Sequence, residues 1–281
     1  MRSSSVGLAD LLAFVRAHPR LFVLTGAGVS TESGIPDYRD AAGQWKRRQP
    51  VRHQEFLGSP PVRRRYWARS MLGWPVFSRA RPNGAHLALA GLEAAGRIHA
   101  LLTQNVDGLH QAAGHRRVIE LHGNLGRVIC TGCGGLMQRA DVQRRLEAGN
   151  PWLAGRAATP APDGDADLDE ADLERFETPA CPACGGILKP DVVFFGDSVP
   201  RPRVEEALAL LAEADALLVA GSSLMVYSGY RFCERAHALG KPIAAINLGA
   251  TRADPLLAVK LHAACGDALA ALSGAVVATG A

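Results

Sequence analysis

Two C-x-x-C pairs, Cys130/Cys133 and Cys181/Cys184, are the residues whose type and spacing predict chemistry most directly. Four thiolates complete the tetrahedral shell of one Zn²⁺ ion and leave no position open for a substrate, so such a site is structural. The 47 residues between the pairs exceed the roughly 15–20 of a compact zinc ribbon. We therefore expect the zinc ion to close a long excursion of the chain.

A single histidine, His122, precedes the first pair in the segment VIELHGNLGRVICTGC. Because four cysteines already fill a zinc shell, the imidazole is not needed as a ligand. With its ordinary pKa of about 6.5, a histidine is neutral near pH 7 and can accept a proton. We interpret His122 as a general base, with a buried structural histidine as the alternative.

Polar and glycine-rich clusters follow several short apolar segments. Gly26-Ala27-Gly28 follows LFVLT, and glycines at such a turn let a backbone approach a pyrophosphate, although Thr31 replaces the third glycine of G-x-G-x-x-G. A tight turn without a ligand is the alternative. The continuation SGIPDYR, which ends at Arg39, has the composition of a mobile loop that covers a ligand.

Two more clusters offer hydrogen-bonding groups at strand ends. The segment TQNVDGLH, which begins at Thr103, carries amides and a carboxylate that suit a ribose or a carboxamide, or else cap a helix. The turn Gly221-Ser222-Ser223 offers donors to phosphate, and Asn247 suits a ribose hydroxyl.

The elements that must position these clusters alternate between apolar runs and helix-like segments. The runs LFVLTGAG, IHALLTQN, VIELHG, DVVFFG, ALLVAGSS and PIAAIN read as strands. Alternation of this kind predicts an α/β fold with a doubly wound, mostly parallel, Rossmann-like sheet, whose ligands bind beyond the carboxyl ends of the strands. We assign residues 1–36, 86–123 and 191–281 to this domain. Residues 37–85, a helical insertion, and 124–190, a zinc-binding module, form a smaller domain.

Composition narrows the class of protein. The chain has 281 residues and a net charge of +4, but eleven Lys/Arg lie between Arg39 and Arg81. This basic stretch either attracts phosphates and acidic substrates or is a solvated helical surface.

No apolar run approaches the roughly 20 residues that span a bilayer, and the first residues lack a signal-peptide pattern. We expect a cytoplasmic protein without membrane contact. The acidic segment DGDADLDEADLE has Leu168 where a calcium loop needs glycine, so calcium binding is not expected.

Taken together, the motifs resemble the sirtuins, a family of NAD-dependent protein deacylases, over roughly residues 10–270. The resemblance rests on GAGVSTESGIPDYR, TQNVDGLH, LHG, the two C-x-x-C pairs, LKPDVVFFGD, GSSLMVYSGY and NLG, all in family order. YWAR, GSSLMVYSGYRF and INLGATRAD are most similar to class II sirtuins. There, Tyr227-Ser228-Gly229 replaces the proline that most sirtuins carry shortly after the equivalent of Val226.

The resemblance implies an NAD site, one structural zinc ion and a peptide site. NAD would contact Gly26, Ala27, Gly28, Ser30, Pro36, Asp37, Tyr38, Arg39, Gln104, Asn105, Val106, Asp107, Gly221, Ser222, Ser223, Asn247, Leu248, Gly249 and Cys265. His122 would be the base, with Asn105 beside it at the nicotinamide ribose and Asp107 at the carboxamide. Val193, Phe194 and Gly196, with the loop near Gly229, would pair with the substrate backbone as an added strand.

The implied reaction transfers the acyl group of an acylated protein lysine to ADP-ribose and releases nicotinamide. Tyr66 and Arg69 share a helix face at i, i+3. They match a pair with which some sirtuins bind acidic acyl groups, so we expect them in the acyl pocket; an ordinary surface helix is the alternative. A protein mono-ADP-ribosyltransferase remains a second hypothesis. A third, a non-catalytic zinc module that binds nucleic acid, is not expected, because neither C-x-x-C pair is flanked by dense basic and aromatic residues.

Overall fold

The structure is a computed structural model that describes residues 7–37, 50–155 and 170–277. The expected loop residues Tyr38 and Arg39 lie outside these ranges, as do residues 163–169 of the acidic segment.

A six-stranded parallel sheet forms the larger part of the molecule. In spatial order its strands are β3 (Val118–Glu120), β2 (Ile98–Thr103), β1 (Leu21–Thr25), β7 (Ala216–Ala220), β8 (Ile243–Ile246) and β9 (Val259–Leu261). All five residues of β1 are buried, as expected for a central strand covered on both faces. The predicted doubly wound architecture is confirmed.

Helices cover both faces of this sheet. Alternate residues of β1 point to opposite faces, so Leu21 and Val23 join one core while Phe22 and Leu24 join the other. The first core is closed by α1 (Leu8–Ala17), α4 (Gly84–Ala94) and α9 (Cys265–Val277). The second is closed by α7 (Arg201–Glu213) and α8 (Tyr227–Ala238). A short helix, α5 (Leu109–Ala112), follows β2.

A smaller antiparallel sheet carries the cysteine pairs. Its strands, in the order β5-β4-β6, are β5 (Leu136–Gln138), β4 (Gly123–Cys130) and β6 (Leu188–Val192). A third core packs it against α2 (His53–Gly58), α3 (Pro60–Phe77) and α6 (Arg139–Gly149). The Arg139 side chain is buried there, with its guanidinium 5.5 Å and 4.8 Å from the ring centroids of Trp67 and Trp74.

One predicted strand lies in a different sheet. The run DVVFFG was expected in the large parallel sheet, but its first residues end β6, where Val192 pairs with Gly123 of β4 in antiparallel register. Phe194 then packs into the third core. An apolar run identifies an extended buried segment but not the strand beside it. The edge strand β9, which is only partly buried, has no such run and was missed.

No helix in the described ranges is both long and apolar enough to cross a membrane.

Candidate active site and metal centre

A cavity of about 800 Å³ opens at the carboxyl ends of the parallel strands. Its walls come from the turns after β1, β2, β7 and β8 on one side and from the small-sheet part of the chain on the other, including Tyr66 and Phe194. The strand order changes direction between β1 and β7. Crevices at such switch points are the usual ligand sites of open α/β sheets.

Most residues predicted to bind NAD or substrate line this cavity. They are Gly26, Ala27, Gly28, Asp37, Tyr66, Gln104, Asn105, Val106, His122, Val193, Phe194, Gly196, Gly221, Ser222, Ser223, Asn247, Leu248, Gly249 and Cys265. Three others, Ser30, Pro36 and Asp107, line a small cavity of about 30 Å³ beside it. The two cavities share Ala27, Gln104, Asn105 and Val106. Arg69 is not among the described residues that line either cavity.

The glycine turns after β1 and β7 touch each other. A Cβ atom on Gly28 would lie 2.8 Å from Cα of Gly221, and one on Gly221 would lie 2.6 Å from the backbone nitrogen of Val29. Gly221 also has a φ of +62°, which other residues rarely adopt. The two turns can therefore pack backbone to backbone and form a floor without side chains, which a phosphate group can approach closely.

A partly buried polar network connects the predicted nicotinamide-side residues. The amide of Asn105 donates to Oγ of Ser30 at 3.0 Å, and the Ser30 hydroxyl donates to Oδ2 of Asp107 at 2.7 Å. The other carboxylate oxygen of Asp107 accepts the backbone N–H of Leu109, the first residue of α5, at 2.9 Å. Burial raises the pKa of Asp107, and these hydrogen bonds oppose the shift.

The imidazole of His122 has both nitrogens engaged at the cavity wall. Nδ1 lies 3.0 Å from the carbonyl oxygen of Gln104, and Nε2 lies 2.8 Å from Oγ of Ser228. Because a carbonyl only accepts, Nδ1 carries the proton and Nε2 presents its lone pair. Burial lowers the pKa of His122 to about 4, and the positive charges of Arg203 and Arg231 act in the same direction. The ring is thus a neutral acceptor at pH 7.

Three further histidines lie below the network, and sequence reasoning did not single them out. His86 Nε2 lies 3.5 Å from the Ser30 hydroxyl, and the ring of His110 is 4.9 Å from that of His86 and 5.1 Å from that of His115. All three are buried. Burial lowers the pKa of each, to about 4 for His86. Of the three, His110 alone lies in one of the strand-end motifs, TQNVDGLH, whereas His86 and His115 carried no such signal.

The four predicted cysteines converge at one end of the small sheet. Their sulfur atoms all lie within 4.8 Å of one another, with Cys130 Sγ 3.5 Å from Cys184 Sγ and Cys133 Sγ 3.8 Å from Cys181 Sγ. A tetrahedral Zn–S₄ centre with bonds of about 2.3 Å has sulfur–sulfur edges of about 3.8 Å. The donor set and its spacing therefore fit one zinc ion.

The residues expected to bind a peptide run past His122. The backbone N–H of Val193 donates to the carbonyl of His122 at 2.8 Å, which holds this segment beside the imidazole. Phe194 packs edge-on against Phe56 and at a tilt against Tyr66, with centroid distances of 5.3 Å and 5.2 Å. These rings make one wall of the cavity apolar.

Two residues at the start of α8 were not predicted as site residues. The hydroxyl of Ser228 contacts the imidazole of His122, and Arg231 lines the same cavity. Their spacing of i, i+3 on a helix that follows a strand was the signal that could have found them.

An open parallel sheet with glycine turns at its switch point, and a four-cysteine module beside it, defines a dinucleotide-binding α/β protein with a structural metal centre. The profile of the Sir2 family matches residues 26–228, and the chain belongs to this family.

Two curated relatives and one solved structure are similar along nearly the whole chain. An NAD-dependent protein deacetylase of Xanthomonas campestris pv. campestris (strain 8004) is 61% identical over 262 residues, which cover 93% of this chain and 89% of that protein. NAD-dependent protein deacetylase 2 of Bradyrhizobium diazoefficiens is 59% identical over 273 residues, which cover 97% of this chain and 100% of that protein. A Sir2 structure with a p53 peptide and NAD⁺ has a TM-score of 0.73 at 30% identity and covers 98% of both chains. Neither relative is named for ADP-ribosyl transfer, the second hypothesis from the sequence.

Proposed function

We propose that this protein is an NAD-dependent protein lysine deacylase that transfers the acyl group to ADP-ribose and releases nicotinamide. The observation that carries the proposal is the position of His122. Its unprotonated Nε2 lies at the wall of a cavity that has glycine turns on one side and the segment Val193–Gly196 on the other, whose last two residues are exposed. Similarity to named deacetylases supports the same conclusion.

When bound, NAD supplies a ribose carbon activated by its nicotinamide leaving group and hydroxyls that accept the acyl group. The turns at Gly26–Gly28 and Gly221–Ser223 would hold the diphosphate, and the segment at Asn247–Gly249 would hold the adenosine. Asn105 and Asp107 would orient the nicotinamide end. His122 would accept a proton at Nε2, while the Gln104 carbonyl keeps the proton of the resting ring on Nδ1.

The protein substrate would enter as an extended strand beside Val193–Gly196, with its acyl chain against Tyr66 and Phe194. An added strand satisfies exposed backbone groups and leaves alternate side chains free for selection. Arg69 would bind the carboxylate of an acidic acyl group. This second role rests on its helical spacing from Tyr66, since Arg69 is not among the described cavity-lining residues.

We also propose the two-domain division predicted from the sequence, because separate cores flank the large sheet and the small one. Strand β6 of the small sheet ends at Val192. The domain boundary expected after residue 190 is therefore better placed after Val192. The six cysteines form no disulfide, which favours a reducing compartment, and we propose the cytoplasm.

Nicotinamide release from NAD, measured with and without acetylated lysine peptides, tests the proposed activity. We expect release that depends on the peptide, with O-acetyl-ADP-ribose as the product in mass spectrometry. The variant His122→Ala should lose about 10²–10⁴-fold in turnover, the usual contribution of a general base, and keep its zinc content. Transfer of ADP-ribose to protein without loss of the acyl group would overturn the proposal.

A further inference from the structure

An exposed tyrosine at the cavity entrance is flanked by two arginines. Tyr227, the first residue of α8, exposes 53% of its surface. The guanidinium carbons of Arg231 and Arg252 lie 5.3 Å and 5.7 Å from its ring centroid, and Arg252 lies 4.2 Å from the ring of Tyr230. We call Tyr227, Arg231 and Arg252 the arginine lip.

The lip carries positive charge that the described residues do not neutralise. No carboxylate in the described ranges forms an ion pair with Arg231 or Arg252. Asp254, two residues after Arg252, pairs instead with Lys260 at 2.7 Å. The Nε of Arg231 is buried and has no hydrogen-bond partner in the described part of the chain. A buried donor without an acceptor is destabilising, so the described residues leave part of the hydrogen-bonding capacity of Arg231 unused.

Both arginines lie next to elements that line the cavity. Arg231 lines the cavity, one helical turn from Ser228, and its charge contributes to the lowered pKa of His122. The backbone N–H of Arg252 donates to the carbonyl of Ser223 at 2.9 Å, which ties the second arginine to the turn after β7. The lip therefore lies beside the cavity that His122 lines, with Tyr227 and Arg231 in the cavity wall.

We propose that the arginine lip is a carboxylate-binding subsite that favours substrate proteins with Asp or Glu next to the acylated lysine. A guanidinium group binds a carboxylate through two parallel hydrogen bonds, and Tyr and Arg are enriched where interfaces gain most affinity. The carboxylate of an acidic acyl group has the same chemistry. The lip lies at the exposed entrance, which favours a side chain of the peptide. This inference rests on the proposed deacylase function for its substrate.

The test compares acetyl-lysine peptides that carry Glu or Gln at each of the two positions on either side of the lysine. Affinity is measured by fluorescence anisotropy without NAD, and kcat/KM is measured with NAD. At low salt we expect the best Glu peptide to be favoured about fivefold in both measurements. Salt should reduce this preference, because the lip is exposed. Arg252→Gln and Arg231→Gln should each lower it to about twofold or less.

The control is Arg235→Gln, which removes an exposed arginine of the same helix that does not line the cavity; it should keep the full preference. Binding without a Glu preference, no binding of either peptide, or a preference that survives both lip variants would overturn the inference. A preference that appears only for carboxylated acyl groups on neutral peptides would also overturn the inference. The arginines would then bind the carboxylate of the acyl chain and not that of a peptide side chain. Preferred binding of Glu peptides without any turnover would leave the lip intact and reject the deacylase function instead.

Discussion

Nε2 of His122 lies 2.8 Å from Oγ of Ser228, although the two residues are 106 positions apart in the chain. The contact depends on where α8 begins, because Ser228 is the second residue of this helix and lines the same cavity as His122. With Nδ1 bound to the Gln104 carbonyl, the imidazole is held from both sides.

Ser228→Ala should lower kcat about three- to tenfold, because one hydrogen bond of about 1 kcal/mol that orients the ring is lost. The KM for NAD should change little, since the glycine turns are untouched. Steady-state kinetics with an acetylated peptide measure both constants, and Ser228→Thr, which retains the hydroxyl, is the matched control. A larger effect on KM than on kcat would show that the serine contacts NAD rather than the base.

The acidic limb of the kcat/KM profile should lie well below pH 6.5. The base acts only when deprotonated, and burial lowers the pKa of His122 to about 4. Activity is therefore retained as the pH falls through the ordinary histidine range and is lost only towards the folded-state pKa. Rates between pH 8 and pH 5, on protein shown by circular dichroism to remain folded, should therefore stay nearly constant, and this measurement checks the prediction. An inflection near pH 6.5 that vanishes in His122→Ala would contradict this prediction.

Stability should fall as the pH drops from about 6.5 towards 4. In the unfolded chain His86, His110 and His115 protonate near pH 6.5, whereas burial lowers each folded-state pKa. The unfolded state then binds more protons in this window, so the free energy of unfolding decreases with falling pH, by at most about 1.4 kcal/mol per pH unit for each imidazole.

Urea unfolding at pH 8, 6 and 5 measures that slope. His115→Gln should reduce it by removing one buried titrating group, whereas His237→Gln, at an exposed position on α8, should not. Equal slopes in both variants and the parent would show that other groups cause the acid sensitivity.

Cys133→Ser should abolish stoichiometric zinc binding and lower the melting temperature by about 5 °C or more, because an incomplete thiolate shell no longer holds the ends of the small sheet together. Atomic absorption and calorimetry measure the two effects. The control is Thr131→Ser, between Cys130 and Cys133, which retains the hydroxyl that donates to the Ile187 carbonyl. This variant should keep its zinc content and its melting temperature. Full zinc content in Cys133→Ser would argue against a four-cysteine site.

Arg69→Ala should lower kcat/KM for carboxylated acyl-lysine peptides about tenfold and leave acetyl-lysine peptides nearly unchanged, as expected for the loss of one partly buried ion pair. Tyr66 lines the cavity, so Tyr66→Ala should affect every acyl group. Arg64→Ala, on the same helix, is the control. An equal loss of kcat/KM for all acyl chains in Arg69→Ala would show that the arginine stabilises the helix and does not bind the acyl carboxylate.

Short sequence motifs were sufficient to predict those features of the site that depend on a few neighbouring residues. The glycine turn at Gly26, the amides after β2 and the cysteine pairs each follow from spacing along one segment, and parallel strands must bring their carboxyl ends to one edge. These rules predicted the crevice and the convergence of the four thiols, and the structure confirms both.

Tertiary packing decided the features that depend on distant neighbours. The DVVFFG run joined the small sheet because β4 lies beside it, and Ser228 reached the base because α8 begins at the cavity wall. The buried histidines acquire their lowered pKa from desolvation, which no short segment encodes. The sequence alone was thus sufficient to identify the family, the polar clusters at the strand ends and the four cysteines that fit one zinc ion. The partners of His122, the charge of its surroundings and the arginine lip were decided only by the packed fold, because they arise from contacts between segments far apart in the chain.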